Sequence, residues 1–215
     1  MNKPENSTII NVCVIPSDQV GAECVNVSQS LKSDGTMFVL DGVTKFPHMT
    51  VYMARVANEQ VPNVVEAAGS LIEGIQSFTC KHTGYFMTKG RYFEASYEKS
   101  SSFVAFHEKL ISQLKGYRIN PGNPFEEGYF TPYTAEQQKN AKETGYDLAH
   151  ELFRPHVTLT RYHEGKMPEI NPETPPTDLS FNLWKICVYK ADDTGAVPEK
   201  LAEFILYNPR GCDVI

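Results

Sequence analysis

Hydrophobic and polar positions change period several times along the chain, and each change marks an element. Residues 9–16, IINVCVIP, form a short β-branched run stopped by Pro16 and predict a strand. Val20, Cys24, Val27 and Leu31 then recur at helical spacing, with Ser17 placed to cap the helix. The SDGT stretch at 33–36 ends it, and MFVLDGVTKFPHMTVYMARV carries strand pattern to about Val56. Asn58 is a candidate N-cap, with Pro62 in the first turn of a helix whose apolar side holds Val61, Val64, Val65, Ala68, Leu71, Ile72 and Ile75. Residues 78–99 read as two strands joined near Lys89 and Gly90. Ser101 or Ser102 starts a third helix with Phe103, Phe106, Leu110 and Leu114 as its inner stripe.

Residues 116–133 are dense in Gly and Pro and predict loop. Residues 134–152 are polar with helical propensity and suit either a surface helix or a lid. A further strand, RPHVTLTR at 154–161, follows, then a Pro-rich loop at 167–178, the strand LSFNLWKICVYKA, a turn at DDTGA and the strand LAEFILY. Seven or eight strands and three or four helices, alternating mainly in the first two-thirds, predict an α/β (α+β) fold. No boundary is clean enough to cut the chain, so residues 1–215 are expected to form one domain, with 116–152 as an insertion or lid.

Composition narrows the functional classes. The 215 residues are 41% hydrophobic and 21% charged, as in an ordinary globular protein with a core of its own. A net charge of −6 argues against a protein that coats long DNA or RNA, which usually carries a basic face. A small phosphate ligand in a local basic pocket stays possible. The five cysteines are scattered and form no C-x-x-C pair, which suggests reduced thiols rather than a zinc knuckle or a redox pair. The first residues make a poor signal peptide, since Asn11 breaks the apolar run, and no stretch is long enough to span a membrane. The expectation is a cytoplasmic monomer with no membrane partner.

One pattern carries chemistry. FPHMTVYM at 46–53 and RPHVTLTR at 154–161 each read Pro, His, apolar, Thr, apolar. Alternate residues of a strand share a face, so His48 and Thr50 point one way while Met49 and Val51 point into a core. His156 and Thr158 are arranged alike against Val157 and Leu159. Proline before each His suits the first residue of a strand. Two imidazoles can take a proton from a nucleophile and give one to a leaving oxygen near neutral pH, and two hydroxyls can hold phosphate oxygens between them. Such a site needs neither metal nor cofactor, and H-E-x-x-H or clustered carboxylate signatures are absent from the sequence.

PHMTV and PHVTL resemble the paired H-apolar-[S/T]-apolar signatures of the two-histidine (2H) phosphoesterase superfamily, which includes 2′-5′ RNA ligase-like proteins and cyclic phosphodiesterases. The resemblance extends to the order of elements over most of the chain. It implies a bilobal fold of two antiparallel sheets with outer helices around a central cleft, pseudo-two-fold symmetric, with interleaved lobes and both chain ends in one of them. It implies that His48 and His156 are the acid–base pair and that Thr50 and Thr158 bind phosphate. The substrate would be a 2′,3′-cyclic or 2′-5′-linked nucleotide or a short RNA end. Alternatives are hydrolysis of a cyclic oligonucleotide signal or another small phosphodiester, or a non-catalytic module that binds nucleotides or RNA ends.

Further candidates rest on weaker signals. Tyr52 shares the parity of Thr50 and could line the cleft. Tyr129, Phe130 and Tyr133 could close over a base by stacking. Arg161 and Arg55 are phosphate-binding candidates by charge, although exposed arginines are common. His82, His107, His150 and His163 fit packing or surface roles better than catalytic ones.

Overall fold

The computed structural model describes residues 6–119, 133–166, 177–192 and 196–206. Ten strands and four α-helices lie among these residues. In chain order they are β1 (Ser7–Ile15), α1 (Asp18–Ser30), β2 (Thr36–Val39), β3 (Met49–Ala57), α2 (Val61–Ile72), β4 (Thr79–Cys80), β5 (His82–Met87), β6 (Tyr92–Tyr97), α3 (Ser101–Leu114), α4 (Ala135–Thr144), β7 (His156–Tyr162), β8 (Phe181–Asn182), β9 (Lys185–Ala191) and β10 (Glu199–Ile205).

Two four-stranded antiparallel sheets carry the fold. One has the order β10-β9-β1-β3 and the other β2-β7-β6-β5, while β4 and β8 form a small separate ladder. The first and last strands share the first sheet, so the chain leaves it after β3 and returns only at β9. The sheets are not copies of each other in strand order. β3 is an edge of its sheet, whereas β7 has β2 outside it. Residues of β3 and β7 nevertheless approach within 8 Å between Cα atoms, so the strand that follows His48 and the strand that begins at His156 are neighbours.

The strand alternation buries one continuous apolar core. Met49, Val51, Val157 and Leu159 are fully buried, as are Phe103, Phe106 and Leu110 from α3. The Ser17 and Ser100 hydroxyls cap α1 and α3 by accepting from the backbone N–H of Val20 and Phe103. Asn58 caps nothing. Residues 58–60 form a single 3₁₀ turn, and α2 starts after it with Pro62 in its first turn. The long strand pattern across 37–56 is interrupted by a turn in which the Asp41 carboxylate accepts from the backbone N–H groups of Val43, Thr44 and Lys45. A carboxylate that collects backbone donors this way fixes a turn locally, and apolar periodicity is blind to it.

The polar stretch 134–152 is a short helix packed on the body of the protein. Thr134 and Gln137 form a capping box at the start of α4. Asn140, Ala141, Thr144, Tyr146 and Ala149 are buried. Arg118 and Ile119 pair with the exposed edge of β3 through a bridge to Val56 and a hydrogen bond to the Arg55 carbonyl. This covers an edge that would otherwise leave backbone groups open to another chain. No helix among the described residues is long and apolar enough to cross a membrane.

Candidate active site

Each His-x-Thr segment contains a β-bulge at the residue after the threonine. Between β1 and β3, Val12 pairs with Tyr52 but Cys13 pairs with Thr50, so Val51 is the extra residue. Between β6 and β7, Phe93 pairs with Thr160 but Glu94 pairs with Thr158, so Leu159 is the extra residue. A bulge bends the strand and frees backbone groups from the ladder. Both freed carbonyls are taken by a helix side chain. His107 of α3 donates its Nδ1–H to the Val51 carbonyl at 2.6 Å, and Ser28 of α1 donates its hydroxyl to the Leu159 carbonyl at 2.5 Å.

The two imidazoles are oriented by the same device. His48 Nδ1 lies 3.1 Å from the Phe46 carbonyl, and His156 Nδ1 lies 2.7 Å from the Arg154 carbonyl. A carbonyl only accepts, so each Nδ1 carries the hydrogen and each Nε2 is turned away from the backbone. Both rings and both threonines are half-buried, while Met49, Val51, Val157 and Leu159 between them are buried, as the alternation requires. Burial pushes the His48 imidazole below its ordinary 6.5, its hydrogen bond to Phe46 opposes this, and a charge on His156 pushes it down further. That last influence puts the two rings within electrostatic reach of each other.

Three neighbours complete the site. Asn11, on β1, donates from Nδ2 to Thr50 Oγ1 at 3.0 Å. Thr50 is thereby occupied as an acceptor, and its own hydrogen is left to be donated. Glu94 of β6 is 3% exposed, with one carboxylate oxygen paired with Arg154 and the other 3.6 Å from His156 Nε2. Phe46 lies 5.7 Å from the His48 ring and 5.4 Å from Tyr189, which gives that side of the site an aromatic wall.

The remaining sequence candidates are scattered. Tyr52 is 2% exposed and donates its hydroxyl to the Thr144 carbonyl at 2.6 Å, so its ring ties α4 to β3. The bulge at Val51 separates it from Thr50, and simple alternation does not carry across a bulge. Arg161 lies past the second bulge, donates from Nε to the Gly90 carbonyl and covers the Tyr92 ring, which places it on the β5–β6 turn. Arg55 is near the far end of β3 and donates to Ser7 Oγ. Tyr133 is half-buried against the core. Tyr129 and Phe130 lie outside the described residues. Asn11, Glu94, Arg154 and Phe46 were not singled out by the sequence. Their signals were a polar residue in an apolar strand, one carboxylate in an aromatic hairpin, and the residues flanking each Pro-His.

Two matched imidazole–hydroxyl pairs at the meeting line of two antiparallel sheets define a two-histidine phosphoesterase architecture. The sequence model of the 2′-5′ RNA ligase superfamily matches residues 43–195, and the chain belongs to that family. Its fold is similar to that of Escherichia coli LigT complexed with NADP+, with a TM-score of 0.62 at 12% identity over 93% of this chain and 98% of that one. LigT complexed with 3′-AMP gives a TM-score of 0.62 at 14% identity over 94% and 99% of the two chains. The TT0787 protein of Thermus thermophilus gives 0.59 at 17% identity over 94% and 100%. A search of curated protein sequences finds no match. Membership of this family implies phosphodiester processing.

Proposed function

We propose that this protein is a metal-independent phosphodiesterase that acts on 2′,3′-cyclic or 2′-5′-linked nucleotides or RNA ends by two-histidine acid–base catalysis. The observation that carries the reading is the duplicated orientation of the imidazoles, each held through Nδ1 by the carbonyl two residues earlier, with Nε2 left for chemistry. One histidine takes a proton from water as its oxygen bonds to phosphorus. The other gives a proton to the departing ribose oxygen. Thr50 and Thr158 donate to the non-bridging phosphate oxygens, whose charge grows in the transition state. The aromatic pair Phe46 and Tyr189 offers a surface on which a base can stack. That LigT takes 3′-AMP and NADP+ in its complexes supports a nucleotide as the ligand class.

The test is an assay on a panel of 2′,3′-cyclic nucleotides, 2′-5′ dinucleotides and cyclic dinucleotides in excess chelator. Turnover is expected to survive the chelator and to fall at least about a hundredfold in His48→Ala and in His156→Ala. The pH profile is expected to be bell-shaped. The base must be neutral, so if His48 is the base the acid-side limb lies below the ordinary 6.5. Loss of turnover on metal removal overturns the mechanism, and wild-type rates in both variants overturn the site. Tight binding of nucleotides with no turnover of any panel member would favour the binding-module reading.

A further inference from the structure

A pocket of about 460 Å³ opens beside the second motif, against Arg154 and Pro155, the two residues that precede His156. That volume lies within the range of about 300–1,000 Å³ that holds small ligands. Its other walls come from Tyr97 and Lys99 at the end of β6, from Gln137 on α4 and from Leu148. Taking the proposed phosphodiesterase reading as given, we propose that this pocket binds the base of a second nucleoside, on the His156 side of the scissile phosphate, so that the favoured substrate is a diester linking two nucleosides rather than a cyclic mononucleotide.

The placement follows from the repeat. Two residues before each histidine, a backbone carbonyl takes the Nδ1 hydrogen and fixes the ring. The side chain of that same residue flanks the site: Phe46, with Tyr189, beside His48, and Arg154 on the pocket beside His156. A phosphate held between the two imidazoles therefore has an aromatic wall near one ring and the pocket near the other. A mononucleotide can use one of them, whereas a diester with a nucleoside on each side can use both. Asp147, the neighbour of Leu148, is within electrostatic reach of His156, which ties the α4 side of the pocket to the same centre.

The lining suits a base better than a second phosphate. Tyr97, Leu148 and Pro155 give it apolar walls, and its two cations are answered. Arg154 is paired with Glu94. Lys99 spends two hydrogens on the His150 and Glu151 carbonyls, and Glu151 itself lies on the lining. The Arg154 guanidinium, 5.1 Å over the Phe86 ring and tied to Glu94, is a steadied plane at the rim, and a guanidinium plane is a surface on which a base stacks. The pocket is also set in advance. Its wall includes the 3₁₀ turn His150–Leu152, whose first residue has φ +57°, a left-handed conformation that histidine seldom adopts. Three ties hold it there: Lys99 on the His150 carbonyl, His107 Nε2 on its N–H, and the Glu108 carboxylate 2.9 Å from its Nδ1. A strained turn kept in place by its surroundings is ordered before the ligand arrives, which lowers the cost of binding.

The experiment measures kcat and KM of the full chain on a 2′-5′-linked dinucleotide, on the two molecules with an abasic ribose in place of either nucleoside, and on a 2′,3′-cyclic mononucleotide. Removal of either base is expected to lower kcat/KM at least about tenfold, mainly through KM. Leu148→Trp, which fills the pocket, is expected to lower the ratio of kcat/KM for the dinucleotide over the cyclic mononucleotide by about tenfold, and to add nothing to the loss already caused by removing one particular base. If Leu148→Trp does not fold, Leu152→Trp, on the 3₁₀ turn of the same lining, decides. An unchanged ratio, or an equal Leu148→Trp loss on both abasic molecules, overturns the proposal. If no substrate is turned over the phosphodiesterase reading fails, and calorimetric binding of the dinucleotide and its abasic forms to the same chains still decides whether the pocket holds a base: equal affinity with and without each base overturns it.

Discussion

A buried asparagine in an apolar strand needs a reason, because an amide taken out of water without partners costs free energy. Asn11 is 1% exposed between Ile10 and Val12, and its Nδ2 is spent on the Thr50 hydroxyl oxygen. The bond decides what Thr50 can do. With an acceptor site filled, the hydroxyl hydrogen is turned outward, where a phosphate oxygen can take it. Asn11→Ala is expected to lower kcat/KM by about tenfold through loss of that orientation. Asn11→Asp is expected to be worse, since a carboxylate would take the Thr50 hydrogen for itself and set a negative charge beside the phosphate. Steady-state kinetics of the two variants check this, and an Asp variant as active as the Ala variant would show that the hydroxyl direction is unimportant. The four motif residues were legible in the sequence because a period of two and a repeat are local signals. Asn11 and Glu94 were not, because their meaning depends on strands that are adjacent in space and distant in the chain.

At the level of elements, the sequence shows most of the strands and where the helices face, but it is silent on register and on breaks within an apolar run: LSFNLWKICVYKA, expected as one strand, is β8 and β9 in different sheets. The bulges at Val51 and Leu159 are the clearest case. Nothing in TVY or TLT announces an extra residue, yet these bulges set the course of the strand beyond each threonine, and with it the placement of Tyr52. The stretch 134–152 shows the same limit. Its polarity suggested a surface helix or a lid, but a few residues, Ala141, Tyr146 and Ala149, are enough to seat it. Gly145 makes that seating possible in two ways. It ends α4 with φ +87°, a left-handed conformation, and a Cβ there would stand 2.9 Å from the Ala54 Cβ on β3. Gly145→Ala is expected to destabilise the protein by about 2–3 kcal/mol, from the backbone strain and the forced contact together. The loss should appear as a lower midpoint in urea and as faster amide exchange in α4. An unchanged midpoint would mean that α4 is not part of the cooperative fold.

Over the whole molecule the two halves of the site are tied crosswise. His107 donates to the bulge carbonyl of the first motif and accepts at Nε2 from the backbone N–H of His150, on the approach to the second. Ser28 donates to the bulge carbonyl of the second motif and accepts from the N–H of Leu40, on the approach to the first. Each helix side chain thus joins one motif to the chain that delivers the other, and the cleft geometry becomes a property of the folded whole. The serine tie does not titrate, but the histidine tie does. It requires a neutral ring with Nδ1 donating and Nε2 accepting, stacked on Phe153 at 3.9 Å. Burial pushes His107 down from 6.5 to about 4, so the unfolded chain binds the proton first as pH falls. The stability from this tie is therefore complete above about pH 6.5 and is lost progressively as pH falls toward 4, by about 3 kcal/mol in all. His48 and His82, also pushed down, contribute with the same sign, and Asp147, pushed up, contributes with the opposite one. His107→Phe keeps the stacking and removes both bonds and the titration. Its stability near pH 7.5 is expected to be lower by about 2–4 kcal/mol, because two buried backbone groups lose their partner. The gap from the native protein should then close as pH falls from 6.5 to 4. Urea unfolding of both proteins across that range measures the gap, and a constant difference would show that His107 is not held neutral between the two motifs.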